Sequence, residues 1–237
     1  MIEVLFFLVI LFGVFLQASL GFGTVVTMPL GILLMGMGVT KPVVTFVALL
    51  TGVTILITDY KCINWRELAK MAGVMLVGVL GALWIAGRVQ MSFLLVIYGV
   101  VVIGIGVKKL FFPAKRQTSK AVQNTALAIA GIMQGLFVSG GSFLAVYAME
   151  RMPDKREFRA TTNALWAILN MVMLITYFTG GQVDRKVLIM GVIAIIPMML
   201  GTWLGGVFAK RIPQQTFLKL VYVILIASGV VLLISNL

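Results

Sequence analysis

Histidine is absent from this 237-residue chain, and cysteine occurs once, as Cys62. Without histidine the commonest proton shuttle and metal ligand is missing. A single thiol forms neither an internal disulfide nor a cysteine metal cluster. No metal and no cofactor are expected. Acidic residues are scarce too: seven Asp and Glu stand against nineteen Lys and Arg, a formal net charge of +12. No charged residue falls at the centre of an apolar run. That argues against a buried carboxylate proton relay, a retinal-type counter-ion pair and a voltage sensor. A Gly-Lys-Ser/Thr phosphate loop is also missing, so nothing points to energy drawn from nucleotide. With no nucleophile–base pair in view, an enzyme is not expected. The longest hydrophilic piece, Lys108 to Asn124, is too short for a soluble domain.

What fills the chain is apolar. It is 61% hydrophobic and 11% charged, with mean hydropathy +1.13, whereas soluble domains carry about 25% charged residues. Several apolar runs reach the roughly 18 residues a membrane helix needs. In a soluble protein the basic excess would suggest nucleic acid. Here it falls between apolar runs and reads as topology signal, so no nucleic-acid partner is expected. The opening Met-Ile-Glu lacks the basic region of a cleavable signal, so the first apolar segment is expected to be retained. Cys62, just past an apolar run on the basic side, is expected to be a loop thiol of no catalytic importance.

The chain resembles itself. "GFGT" at 21–24 lies against "SGGS" at 139–142, a shift of 118. "LGALW" at 80–84 echoes "LGTWL" at 200–204, and "FLLVIY" at 93–98 matches "FLKLVY" at 217–222. This common order points to duplication. The halves are 1–112 and 121–237, joined by a linker at 113–120. Apolar spans are expected at 40–58, 68–87 and 91–107, then at 157–179, 187–208 and 214–236. Each half opens with a further segment, Ile2 to Met37 and Ala121 to Met152. As one straight helix the first would be about 54 Å long, against a hydrocarbon core of about 30 Å.

Charge decides how the opening segments run. If both cross once, the basic residues divide ten to nine between the two sides, which gives no orientation. If both turn back at their glycines, fifteen fall on one side and four on the other. That is a strong positive-inside bias. Each half then carries a Gly-broken, re-entrant helical hairpin plus three crossings, and the second half begins on the opposite side from the first. The expected fold is an all-α membrane protein of two inverted-topology repeats, a transporter architecture. Both termini are expected outside, with the linker in the cytoplasm.

Irregular backbone at membrane depth is tolerated where it is buried in protein or lines a polar cavity. Gly21, Gly23, Gly140 and Gly141 let the chain turn, and the following helices start near Thr24 and Ser142. Helix N-termini offer free N–H groups and partial positive charge, which suits a small anion. Thr24, Thr27, Ser139 and Ser142 add hydroxyls. Added bulk at Gly23 or Gly141 is expected to fill the space beside the amides. Gln17 and Gln134 precede the two breaks, either as substrate contacts or as interhelical hydrogen bonds. Asn163 is costly in hydrocarbon unless paired and faces a vestibule or the site. Gly201-x-x-x-Gly205 is expected to serve helix packing, and most threonines of 45–58 to bond back to their own helix. Trp65, Trp84, Trp166, Trp203 and Tyr60 suit interfacial anchors as well as substrate contacts.

The stretches "GFGTVVTMPLGILLMG", "GIMQGLFVSGGSFLAVY" and "FRATTNAL" resemble the sulfite exporter TauE/SafE family of anion transporters, and the likeness covers nearly the whole chain. At Tyr147 the family's second turn commonly carries proline. The resemblance implies a substrate among sulfite, sulfonates and related sulfur-containing or carboxylate anions. The expected function is a secondary carrier for such an anion in a prokaryotic cytoplasmic membrane. Its partners are the anion and the lipid bilayer, with a homo-oligomer left open. A passive anion channel and a non-transporting membrane scaffold are the alternatives.

Overall fold

The computed structural model describes residues 2–85 and 119–236, with isolated helical positions between 100 and 110. Among them all regular structure is helical. The order is α1 (Ile2–Leu20), α2 (Thr24–Thr58), a 3-10 turn (Tyr60–Cys62), α3 (Trp65–Ile85), α4 (Lys120–Phe137), α5 (Gly141–Arg151), α6 (Lys155–Thr179), α7 (Arg185–Ile193), α8 (Ile195–Arg211) and α9 (Gln214–Asn236). Among the described residues five stretches are long and apolar enough to cross a membrane: α1, α2, α3, α6 and Arg185–Arg211. The span expected at 91–107 lies largely outside the described residues.

Two boundaries differ from expectation, each for a local reason. The span expected at 40–58 is continuous with the segment before it, as α2, but bends at Gly36 (φ 74°, ψ 168°). That conformation is open to glycine and strained for other residues. It divides α2 into Thr24–Met35 and Met37–Thr58. The span expected at 187–208 is interrupted at Ala194, three residues before Pro197. Proline lacks an N–H, and its ring crowds the carbonyl four residues back, here that of Ile193.

The chain folds back on itself twice. Beyond Leu20 it reverses over Gly21–Gly23, so that Gly31 faces Phe6, Thr27 faces Gly13 and Gly23 faces Gln17. These pairs have nearly constant index sums, the mark of antiparallel helices. α4 and α5 repeat the pattern: Gly140 sits on Ala130 and Gln134, and Arg151 Nε donates to Gln123 Oε1 at 3.0 Å. Each first arm then packs on a helix distant in sequence. α1 lies on α8, where a Cβ at Gly201 or Gly205 would come within 2.7 Å of Leu11 O or 2.6 Å of Phe15 O. α4 lies on α3 through Gly78, Gly131 and Gly135. Small residues permit this close backbone approach. The opposite faces of α3 and α8 expose Val77, Leu80 and Trp84, and Ile196, Met199 and Trp203, as expected of helices bordered by lipid.

Gly201→Val should therefore lower the thermal midpoint of the purified protein and broaden its gel-filtration peak, since overpacking costs about 1–3 kcal/mol or more. Gly206→Val, with no atom within 4 Å of the added Cβ, should change neither.

Candidate functional site

Every helix end leaves unpaired backbone groups, and inside a membrane no water satisfies them. At the break after α1 the carbonyls of Ala18 and Gly21 are left open, and that of Gln17 accepts from Gly21 N at 2.9 Å with room for a second donor. One face of α6 answers all three. Arg159 Nη1 donates to Ala18 O at 2.8 Å, Asn163 Nδ2 to Gln17 O at 3.3 Å and Trp166 Nε1 to Gly21 O at 2.6 Å. The spacing 159, 163, 166 is one stripe of a helix. Asn163 Nδ2 also donates to Arg159 O at 2.9 Å. The second Arg159 nitrogen pairs with Asp59. The break after α4 is held in a related way: Lys41 Nζ, on α2, donates to Leu136 O at 2.8 Å.

The ten sequence-predicted site residues fall into two groups that touch. Gln17, Gly21, Gly23, Thr24 and Asn163 surround the first break. Gln17 Nε2 donates to Ala48 O at 3.1 Å, and Gly21 takes φ 93° to turn the chain. Gln134, Ser139, Gly140, Gly141 and Ser142 form the second. Gln134 bridges it, accepting from Gly140 N at 3.2 Å and donating to Asn170 Oδ1 at 3.1 Å. Both glutamines thus make interhelical bonds. The groups meet where Gly141 abuts Phe22 and Val25. The helices beginning at the breaks start from Gly23 and Gly140, which offer no capping side chain. By contrast α4, α6 and α7 are capped by Ser119, Asp154 and Asp184.

The expectation that Gly23 and Gly141 border open space is corrected. A Cβ on Gly23 would lie 1.7 Å from Gly13 O, and one on Gly141 would lie 2.8 Å from Phe22 Cβ. Both glycines are packed, so valine there disturbs the hairpins themselves. Phe22 fills the space between the breaks, buried and edge-on to Phe158 at 6.0 Å between ring centroids.

Several residues here were legible only as something else. Arg159 and Lys41, at the edges of the spans expected at 157–179 and 40–58, enter the sequence reading only as part of the charge count, yet Arg159 is buried and Lys41 lies inside α2. Trp166 read as an anchor as readily as a contact, yet it is buried, whereas Trp65, Trp84 and Trp203 are exposed. Thr45 read as a helix-bonded threonine. Instead its buried hydroxyl makes no bond back to its own helix and lies beside the Tyr177 hydroxyl, while Asn163 Oδ1 has no hydrogen-bond partner among the described residues.

Trp166→Phe keeps the ring but leaves the Gly21 carbonyl unpaired, which costs about 1–3 kcal/mol. The thermal midpoint in detergent should fall accordingly, while Trp203→Phe, on the exposed face, should leave it unchanged.

The family model described as Sulfite exporter TauE/SafE matches residues 5–232. A curated relative, the "Probable inner membrane transporter protein TsaS" of Comamonas testosteroni, is 24% identical over 174 residues, covering 72% of this chain and 73% of the relative. No solved structure matches. Apolar helices that pack through glycine, breaks held together across the chain, and a family match over nearly its whole length lead to one assignment: the protein belongs to the sulfite exporter TauE/SafE family of membrane transporters.

Proposed function

We propose that the protein is a secondary carrier for a small sulfur-containing anion, sulfite or a sulfonate, in the cytoplasmic membrane. Its two inverted repeats, 1–112 and 121–237, would each contribute a re-entrant hairpin. The observation that carries this reading is a pair of hydrogen bonds. Lys41 holds Leu136 O, and Arg159 holds Ala18 O. Donors 41 and 159 are separated by 118 positions, and acceptors 18 and 136 by the same number. It is also the shift between "GFGT" and "SGGS". Equal shifts for donor and acceptor are what a two-fold relation between duplicated halves produces.

Thr45 and Asn163 are separated by the same shift; Asn163 keeps a buried side-chain oxygen unpaired, and the buried Thr45 hydroxyl makes no bond to its own helix and lies beside the Tyr177 hydroxyl. An orphaned buried polar atom costs about 1–3 kcal/mol. Polar side chains at these equivalent positions support a place kept for a ligand: the Thr45 hydroxyl can donate to an anion, and the Asn163 oxygen, which only accepts, can take a water that accompanies it. The uncapped starts of α2 and α5, with Thr24, Ser139 and Ser142, would supply further donors near the midplane. Gln17, Gln134 and Asn163 would orient them. The central space is closed around Phe22, consistent with a carrier seen between its open states.

Liposomes containing the pure protein and loaded with sulfite or methanesulfonate provide the test. The expected flux saturates with concentration and is accelerated by the same anion on the far side. Non-saturating flux without this acceleration would make the protein a channel. No flux of any small anion would leave the scaffold reading.

A further inference from the structure

Beside the first break, a cavity of about 240 Å³ opens among Ser19, Asp59, Cys62, Arg159, Lys210 and Phe217, with Lys155 and Arg156 also in its wall. We propose that this cavity is a second anion site, a cytoplasmic vestibule in which a sulfate- or sulfonate-sized anion replaces Asp59 on the guanidinium of Arg159. The proposal rests on the carrier reading only for the side of the membrane and the class of anion.

Charge is the first ground. Four cationic side chains and one carboxylate line the cavity, and low-dielectric walls concentrate such a field. All four cations belong to the side that the charge count assigns to the cytoplasm. Burial is the second. Arg159 is 8% exposed, and its Asp59 partner is more accessible. Nη1 is committed to Ala18 O, whereas the nitrogen facing Asp59 points to a carboxylate that a tetrahedral oxyanion can displace. Arginine presents donors in a fork that matches such oxygens. The third ground is location. Ser19, in the wall, lies two residues before the first break, and Phe217 meets Phe158 edge-on, as Phe158 in turn meets Phe22. The cavity therefore reaches the first hairpin and stops at an aromatic wall. A second cavity, sharing Asp59, Arg159 and Lys210, lies on the α8 side of the same ion pair. An anion drawn to Arg159 would loosen the Asp59 contact next to the residue that holds Ala18 O.

Cys62 makes the site measurable in the unmodified protein, because the sole cysteine lines the cavity and is partly exposed. Alkylation by N-ethylmaleimide would be followed in liposomes at constant ionic strength, with sulfate or methanesulfonate exchanged for chloride. Sulfite is avoided because it consumes the reagent. The expected result is saturable slowing of alkylation. Lys210→Gln should shift the midpoint to higher anion concentration, and Asp59→Asn to lower, each by roughly fivefold or less. Arg159→Lys, which keeps a donor for Ala18 O, should also raise it. Alkylation indifferent to the anion, or midpoints unmoved by all three variants, would overturn the proposal. If anion flux is intact in that same preparation, the carrier reading survives that failure. Protection without flux would keep the site and remove the carrier.

Discussion

A buried helix end leaves carbonyls that need a partner, and meeting that need ties distant parts of this chain together. The break after α1 is made habitable by Arg159, Asn163 and Trp166, all on α6. The break after α4 is bonded by Lys41, which precedes it by 95 residues. Neither opening hairpin is complete without a helix that lies far from it in sequence. The packing follows the same plan, since α1 lies on α8 and α4 on α3. Interruption of helices for a site thus demands intimate contact between distant parts of the chain, and the glycines at 78, 131, 135, 201 and 205 permit it.

For a carrier these crossed dependencies have a mechanical consequence. A charge on one half that bonds the break of the other couples movement of one hairpin to the helix opposite. Alternating access in inverted repeats is a rocking of one repeat against the other around a fixed site. The contacts at 18, 41, 136 and 159 lie where such motion would be transmitted. Arg159 is placed between two tasks, with one nitrogen on the break and another on Asp59 at the mouth of a cationic cavity. If an anion takes the place of Asp59, its arrival and the position of the hairpin would meet in one side chain.

Much of this was legible in the residues. Gly-Phe-Gly, in an opening segment too long for one crossing and where the charge count asks for a reversal, marks a turn, and α1 does end at Leu20. The packing role of Gly201 and Gly205 followed from small-residue spacing and is what the structure shows. The interruption of 187–208 at Ala194 was also present in the chain, in Pro197 at the middle of the span, but the apolar run continues through it and gave no sign of a boundary. Arg159 and Lys41 were harder. At the edge of an apolar run a basic residue is a topology signal and a hydrogen-bond donor at once, and only tertiary proximity separates the two roles. The packed state of Gly23 was illegible for the same reason, since nothing local reveals that Gly13 O lies where its Cβ would be.

The central claim is that two related halves sit upside-down to one another, each opening with a hairpin that turns back. Reporters active on only one side of the membrane, fused in turn to the amino terminus, the carboxyl terminus and the 113–120 linker, measure this most directly. The account predicts both termini outside and the linker in the cytoplasm, which places fifteen of the nineteen basic residues inside. A cytoplasmic amino terminus with the linker on the same side would contradict it.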